Sequence, residues 1–365
     1  MQKKMFEGEN AISLLADSLH ETFSNGSKIA FFKGRSFDRN PKKQKLLDAL
    51  KGYNVRHHLG SSNPDLNAVE AAVGFLKEFS PDLILAVGGG SVMDLAKAGN
   101  IFLANPQAIS NNAQFSYKGL YFVAIPTTAG SGTEVTPFSS LRNQNGLAKF
   151  SFVNEFLIPD LAVLWYPLTF TLPPYETAIT GLDALTQAVE TYWSKNATEP
   201  TKEVSLRSIR LIMGSLPTAF KEPRNDEARQ NMLLAANLSG QAIAIARTTI
   251  CHAVSYPLTS RFNIPHGHAV FLTLPSFLEF NASYLDQNGG ERLYQTLNAE
   301  TAEQAADNLR SLGRNLNIEH RLSKLGISER DIPLILDNGF RPDRAQNNPV
   351  TVTREDLNKV LIGIL

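Results

Sequence analysis

The chain has 365 residues, 43% of them hydrophobic and 19% charged, with 35 Lys+Arg set against 35 Asp+Glu. That length suits two domains and that composition a globular protein with a sizeable core, while a formal net charge of zero argues against a nucleic-acid surface, which needs a basic excess. The single cysteine, Cys251, excludes an internal disulfide framework, the N-terminal MQKKMFEGENAISLL has no signal-like apolar stretch, and no run approaches the roughly 18 apolar residues of a membrane span, so a cytoplasmic, soluble protein is expected.

In chain order, Lys28–Lys33 (KIAFFK) reads as a strand that ends in a turn at Gly34. A helix over Gln44–Leu50, a short strand over Asn54–His58 and a helix over Asn67–Phe79 follow. Asp82–Val87 (DLILAV) is the continuous apolar run of a buried parallel strand; it ends in three glycines, and Ser91–Leu103 returns to helical spacing. Tyr121–Ile125 is another buried strand, stopped by Pro126. Strands alternating with helices imply a doubly wound parallel sheet, Rossmann-like, over residues 1–168. The composition shifts between Trp165 and Pro174. From there to the C-terminus the pattern is helical, over Thr177–Ser194, Thr201–Pro217, Asp226–Tyr256, His266–Phe280, Thr301–Leu312 and Arg354–Leu365. Residues 169–365 are therefore expected to form an all-α domain, and the polar segment Gly339–Pro349 a loop.

Two loops in the first half carry chemistry. In LILAVGGGSVMD a strand runs into Gly88-Gly89-Gly90 and then a helix start. Glycines admit a pyrophosphate close to the backbone, helix N-terminal amides favour its charge, and Ser91 adds a hydroxyl donor. The same triplet also serves as a plain strand-to-helix turn. The second loop, Pro126-Thr127-Thr128-Ala129-Gly130-Ser131-Gly132-Thr133-Glu134, follows the next strand, and two such loops at strand C-termini suit the ligand crevice of an open α/β sheet.

GGGSVMD at Gly88–Asp94 and PTTAGSGTEVT at Pro126–Thr136 closely resemble the cofactor-domain signatures of the iron-containing (group III) alcohol dehydrogenases, and the similarity runs from about residue 5 to the C-terminus. The resemblance implies a dehydroquinate synthase-like architecture, an oxidoreductase, and a cofactor set of Gly88, Gly89, Gly90, Ser91, Asp94, Thr127, Thr128 and Lys149, the last being the lysine on a later strand. It also implies that relatives preferring NAD place an acidic residue after the first strand. Here that position is Gly34, with Arg35 and Ser36 beside it, which removes a repulsion against a 2′-phosphate and favours tolerance of NADP(H).

The second half offers Asp183 and Gln187 at i and i+4, His252 and Tyr256 at i and i+4, and His266 14 residues after His252. A carboxylate and two imidazoles from separate helices can converge on a divalent ion, although an Asp near a helix start is also a common cap and a lone His a common structural residue. The family holds its metal through an aspartate, a histidine four residues on, and two histidines in an HAxxH…PHG context. Asp183, His252 and His266 match, in GLDAL, CHAVSYPL and IPHGHAV. Gln187 stands where that family usually has the second ligand, as a weaker amide oxygen or as a hydrogen-bonding neighbour. Tyr256 stands where many relatives have a second histidine assigned to proton relay; a phenol donates a hydrogen bond but is a poorer base at neutral pH. His268, two residues beyond His266, faces elsewhere on a helix and is a substrate or proton-relay candidate.

The implied activity is NAD(P)-dependent, metal-assisted hydride transfer between nicotinamide and an aldehyde, with Fe(II) or else Zn(II), Mn(II) or Ni(II). DALTQAVETYWS with RTTICHAVSYPLTS and IPHGHAV resembles the phosphonoacetaldehyde reductase branch, in which Gln and Tyr replace the usual histidines. Arg247, read as lying one turn before His252 on the same helix, would receive an anionic tail with Thr248, Thr249 and Arg261. A homodimer or larger homo-oligomer acting on a small molecule is expected. Two other readings stay open at this point: a glycerol dehydrogenase-like polyol oxidoreductase, and a non-catalytic nucleotide-binding protein with an incomplete metal shell.

Overall fold

A computed structural model describes residues 4–61, 63–108, 115–142, 149–340 and 342–365, without the side chains of 149, 150, 342 and 343. The chain divides into two compact units, one of residues 1–128 with 132–171, the other of residues 129–131 with 172–365.

The first unit is a parallel sheet. Its strands are β1 (Lys4–Glu7), β2 (Lys28–Lys33), β3 (Asn54–Leu59), β4 (Leu83–Gly88), β5 (Tyr121–Pro126) and, after a separate antiparallel hairpin of β6 (Phe138–Arg142) and β7 (Lys149–Val153), β8 (Leu161–Leu164). The sheet order is β1-β8-β5-β4-β2-β3, with every pairing parallel. β4 is central and buried along its whole length, which is why it reads as unbroken LILAVG rather than as an alternation. Successive side chains serve opposite faces. Ala30, Phe32, Ile84, Ala86, Phe122 and Ala124 meet α3 (Leu66–Phe79) and α4 (Gly90–Ala104). Ile29, Phe31, Leu83, Leu85, Val123 and Ile125 meet α1 (Ala11–Thr22) and α2 (Lys43–Ala49). β1 and β8 escaped the sequence reading because each is only four residues long.

The second unit contains no strand among the described residues. Its centre is α5 (Pro174–Trp193), buried on nearly every face from Thr177 onward and packed by α6 (Glu199–Lys221), α7 (Asp226–Ala246) and α9 (His266–Phe280). Small residues set the approach. A Cβ on Gly267 would fall 1.9 Å from the Ile179 carbonyl oxygen, so α9 lies directly on the backbone of α5.

One expected element is wrong. Asp226–Tyr256 is not a single helix: α7 stops at Ala246, Arg247 takes φ +63° and ψ 162°, and α8 (Ile250–Phe262) begins afresh. The periodicity carries straight through this point with no glycine or proline to mark it. The break is imposed by tertiary structure, because the new helix start at Thr249–His252 wraps around a carboxylate from α5. Arg247 therefore caps α7 rather than sharing a helix with His252. The segment expected to be a plain loop, Gly339–Pro349, holds a short helix at Pro342–Ala345. No described helix is long and apolar enough to cross a membrane.

Candidate metal centre and cofactor loops

In the sheet unit, β4 delivers Gly88 to the N-terminus of α4, whose cap is Gly89 and whose first turn holds Gly90 and Ser91. The amides of a first helical turn have no intrahelical acceptor and so face whatever approaches that end. Glycine is required here by space: a Cβ on Gly88 would sit 2.7 Å from Val92, and one on Gly89 3.3 Å from the Thr128 hydroxyl. Thr127 donates its amide to the Gly88 carbonyl at 3.0 Å, so the two cofactor loops are tied edge to edge. The buried Lys97, passed over in the sequence, donates to the carbonyls of Thr136 (2.8 Å) and Phe138 (3.0 Å) and holds the chain that leaves the second loop. Gly34 follows β2 directly, its amide donating to the Val87 carbonyl at 3.2 Å. Asp94 lies on α4, its carbonyl accepting from the Ser139 hydroxyl at 2.7 Å. Lys149 opens β7, and its side chain lies outside the described residues. The two loops thus set glycine edges beside the first-turn amides of α4.

In the helical unit, Asp183 on α5, His252 on α8 and His266 at the first position of α9 come together, with ligand atoms all within 4.8 Å of one another. Asp183 Oδ1 stands 3.6 Å from His252 Nε2 and 3.8 Å from His266 Nε2. That oxygen is buried and takes no hydrogen bond, although an orphaned carboxylate oxygen in a dry site is costly. Each imidazole is held from behind at Nδ1, His266 by the Ser255 hydroxyl at 3.5 Å and His252 by the Glu190 carboxylate. Both Nε2 atoms thus point with Asp183 Oδ1 at one spot. One hard oxygen, two borderline nitrogens and an unsatisfied lone pair suit a divalent transition metal.

Glu190 is the functional residue the sequence did not reveal. It is fully buried on α5, seven residues after Asp183 and on the same face. One carboxylate oxygen meets His252 Nδ1; the other accepts from the amides of Thr249 (3.2 Å), Cys251 (2.7 Å) and His252 (3.4 Å) and from the Thr249 hydroxyl (2.7 Å). Glu190 therefore caps the N-terminus of α8 from another helix. Burial alone would raise its pKa, but the His252 ring, the Thr249 hydroxyl and the Cys251 amide outweigh it and hold the carboxyl below its usual range. Asp183 behaves alike: burial pushes upward, and His266, His252 and the Gln187 amide pull its pKa down. At His252 burial opposes the charged ring, but Glu190 and Asp183 win and raise its pKa.

The remaining candidates fall unequally. Gln187 is buried beside the cluster, its side-chain oxygen 3.3 Å from the Ser239 hydroxyl. Thr249 does not face a substrate: its hydroxyl donates to Glu190 and accepts from Trp193 Nε1 at 2.9 Å, so it braces the carboxylate. His268 is buried, its Nε2 donating to the Glu319 carbonyl at 2.5 Å and its Nδ1 accepting from the Tyr175 hydroxyl at 3.2 Å. Desolvation lowers its pKa, so the ring is neutral at pH 7. Tyr256 sits one turn beyond His252 on α8, beneath the guanidinium of Arg344.

Comparison with known proteins matches both halves of the chain. Residues 2–165 match the model of the iron-containing alcohol dehydrogenases, and residues 177–364 that of the family's C-terminal region. Alcohol dehydrogenase 4 of Saccharomyces cerevisiae is 30% identical over 98% of this chain and 95% of its own. Phosphonoacetaldehyde reductase of Streptomyces viridochromogenes is 30% identical over 98% of this chain and 96% of its own. The crystal structure of sulfoacetaldehyde reductase from Bifidobacterium kashiwanohense in complex with NAD+ superposes with a TM-score of 0.90 at 29% identity, covering 99% of this chain and 96% of that one. The chain belongs to the iron-containing alcohol dehydrogenase family.

Proposed function

We propose that this member is an NAD(P)H-dependent reductase of a small aldehyde with an anionic tail, using one divalent ion, Fe(II) first among candidates, held by Asp183, His252 and His266 with Gln187 as a fourth ligand. The observation that carries the reading is the orphaned Asp183 oxygen between two imidazoles whose far nitrogens are already held. When bound, the ion supplies Lewis acidity to the carbonyl oxygen and the reduced nicotinamide supplies the hydride.

The chain's own residues do the rest. Glu190 accepts the Nδ1 proton of His252 and so keeps Nε2 as the ligating nitrogen. For Gln187, the Ser239 hydroxyl has one proton and a nearer acceptor in the Ala236 carbonyl at 2.9 Å. Turning the amide over lets its nitrogen donate to Ser239 and its oxygen face Asp183 and the ion. Tyr256, one turn from His252, is our candidate to protonate the product oxygen. His268 is the second, because its partner Tyr175 is 41% exposed and opens a route to solvent. Arg247 is the candidate for the anionic tail. A cytoplasmic homo-oligomer is part of this reading.

For the cofactor, Gly34 leaves the end of β2 without a carboxylate, Arg35 and Ser36 beside it are exposed, and Asp38 is engaged by Lys33 at 2.5 Å. We read this as acceptance of NADP(H). A Cβ at Gly34 would meet Val92 at an ordinary 3.5 Å, so Gly34→Asp is expected to fold normally and to lower kcat/KM for NADPH relative to NADH by about 100-fold, through a carboxylate set against the 2′-phosphate. Steady-state kinetics with both cofactors on anionic aldehydes, neutral aldehydes and polyols tests the whole reading. Robust glycerol oxidation without reduction of anionic aldehydes would contradict it and favour the polyol alternative.

A further inference from the structure

We infer that Lys97, with Ser139 beside it, is a positioning residue for the nicotinamide cofactor: it fixes the exit of the second loop to the helix that carries the glycine loop. The inference rests on the reading that the two loops receive NAD(P)H, and it adds residues that lie outside both sequence motifs.

Three observations carry it. The first is the Lys97 ammonium. Lys97 stands on α4 two turns after Gly90, about 10 Å along the helix axis, and is only 2% exposed. Its Nζ donates to the carbonyls of Thr133 (2.5 Å), Thr136 (2.8 Å) and Phe138 (3.0 Å), with the Thr136 hydroxyl at 3.4 Å. An ammonium carries three tetrahedral donors, and carbonyls converging on it make the burial of its charge tolerable. The second observation is Ser139, whose hydroxyl donates to the Asp94 carbonyl at 2.7 Å. α4 therefore holds the same segment twice, the second time one turn nearer its start. The third is the other end of the second loop, where Thr127 donates its amide to the Gly88 carbonyl at 3.0 Å. Between these ties the chain turns through Gly132, at φ +61°, and the short turn Thr133–Val135.

The second loop is thus fastened at its entry to the end of β4 and at its exit to α4, and the glycine edge lies at the junction of those two elements. The exit segment belongs to the same compact unit as α4. Lys97 supplies donors to the carbonyls of an irregular segment from a single point, as a ladder does along a strand. A dinucleotide that spans both loops needs them in one fixed register, whereas a pyrophosphate alone needs the glycine edge and the first-turn amides of α4. Breaking the tie at Lys97 therefore has a specific consequence. The part of the cofactor beyond the pyrophosphate loses its seat, and the ADP part keeps its own.

The test measures binding without turnover on the full metal-loaded chain, NADPH by its fluorescence and ADP by calorimetry, in wild type, Lys97→Met, Lys97→Arg and Ser139→Ala. Lys97→Met keeps the apolar stem and removes the donors. It should weaken NADPH by about 10-fold or more and ADP by less than about 2-fold, with metal content unchanged. Lys97→Arg keeps the charge in a planar fork that does not fit three converging carbonyls, and should stay impaired. Ser139→Ala should show the same split at about 3-fold, and it decides the question by itself if Lys97→Met does not fold. Unchanged NADPH affinity, or an equal loss of NADPH and ADP, would overturn the positioning role while leaving the cofactor reading standing. Wild-type NADPH affinity in Lys97→Arg would also overturn it, by showing that charge alone matters. A wild-type chain that binds neither probe would overturn the cofactor reading as well.

Discussion

Gly267→Ala is expected to destroy the proposed metal centre although the residue is not one of its ligands. The added methyl would meet the Ile179 carbonyl oxygen at 1.9 Å, its carbon at 2.7 Å and the Asp183 Cβ at 3.2 Å. The first two are backbone atoms of a helix and cannot rotate away. Ordinary contact needs about 3.5 Å, so α5 and α9 would have to part by roughly 1.5 Å. His266, the neighbour of Gly267, would leave Asp183, from which its Nε2 now stands 3.8 Å. Overpacking of this kind costs about 1–3 kcal/mol or more, and a displaced ligand costs metal affinity besides. Anaerobic metal analysis with thermal unfolding should show at least about a 100-fold loss of affinity, together with a lower Tm. Gly214→Ala is the matched control: it lies on α6 with nothing within 4 Å of its Cβ, and should keep the metal and gain up to about 1 kcal/mol. Full metal occupancy in Gly267→Ala would show that the close approach of these helices does not set the site.

Replacing Glu190 should have the next largest effect, by a different route. Glu190→Ala strands the amides of Thr249 and Cys251, the Thr249 hydroxyl and His252 Nδ1 in a buried place, a loss of about 3–5 kcal/mol. Glu190→Gln keeps one acceptor oxygen but loses the charge, and metal affinity should fall by about 10–100-fold. The two changes separate structure from tuning through pH. Glu190 and Asp183 raise the His252 pKa against the opposing effect of burial. In the metal-free protein that raised value adds stability in full below the ordinary histidine pKa of about 6.5, and the contribution fades as pH rises through the folded-state value. The same proton competes with metal for the ring, so metal binding strengthens as pH rises through that value. In Glu190→Gln the competition should begin at a lower pH, because the main charge that favours protonation has gone. Metal titrations across pH 5.5–8.5 would read this, and identical profiles would reduce Glu190 to a helix cap.

Much of the sheet unit was legible because its signals are local. LILAVGGGS places a buried strand, a turn and a helix start within nine residues, and the structure has β4, Gly89 and α4 there. The all-helical second half and the convergence of Asp183, His252 and His266 were also accessible, with the family resemblance deciding what spacing left open. What stayed hidden depends on partners distant in sequence. Glu190 looks like any acidic residue on a helix until Thr249–His252 fold around it, 59 to 62 residues later. The break at Arg247 has no glycine or proline to announce it, and it changes the geometry of everything from Arg247 to Tyr256. Thr249 shows the cost of reading a short stretch alone: its hydroxyl faces Glu190 and Trp193.

The central claim is a three-residue metal centre, buried in the helical unit, whose fourth position is Gln187. Anaerobic reconstitution of the full chain with Fe(II), followed by metal analysis and NAD(P)H oxidation on wild type and Gln187→His, tests it most directly. The account predicts one ion per chain, hydride transfer that rises with occupancy, and about a tenfold or greater gain in affinity when an imidazole replaces the amide. Stoichiometric metal with unchanged affinity in Gln187→His would remove Gln187 from the ligand set, and hydride transfer independent of metal would contradict the claim itself.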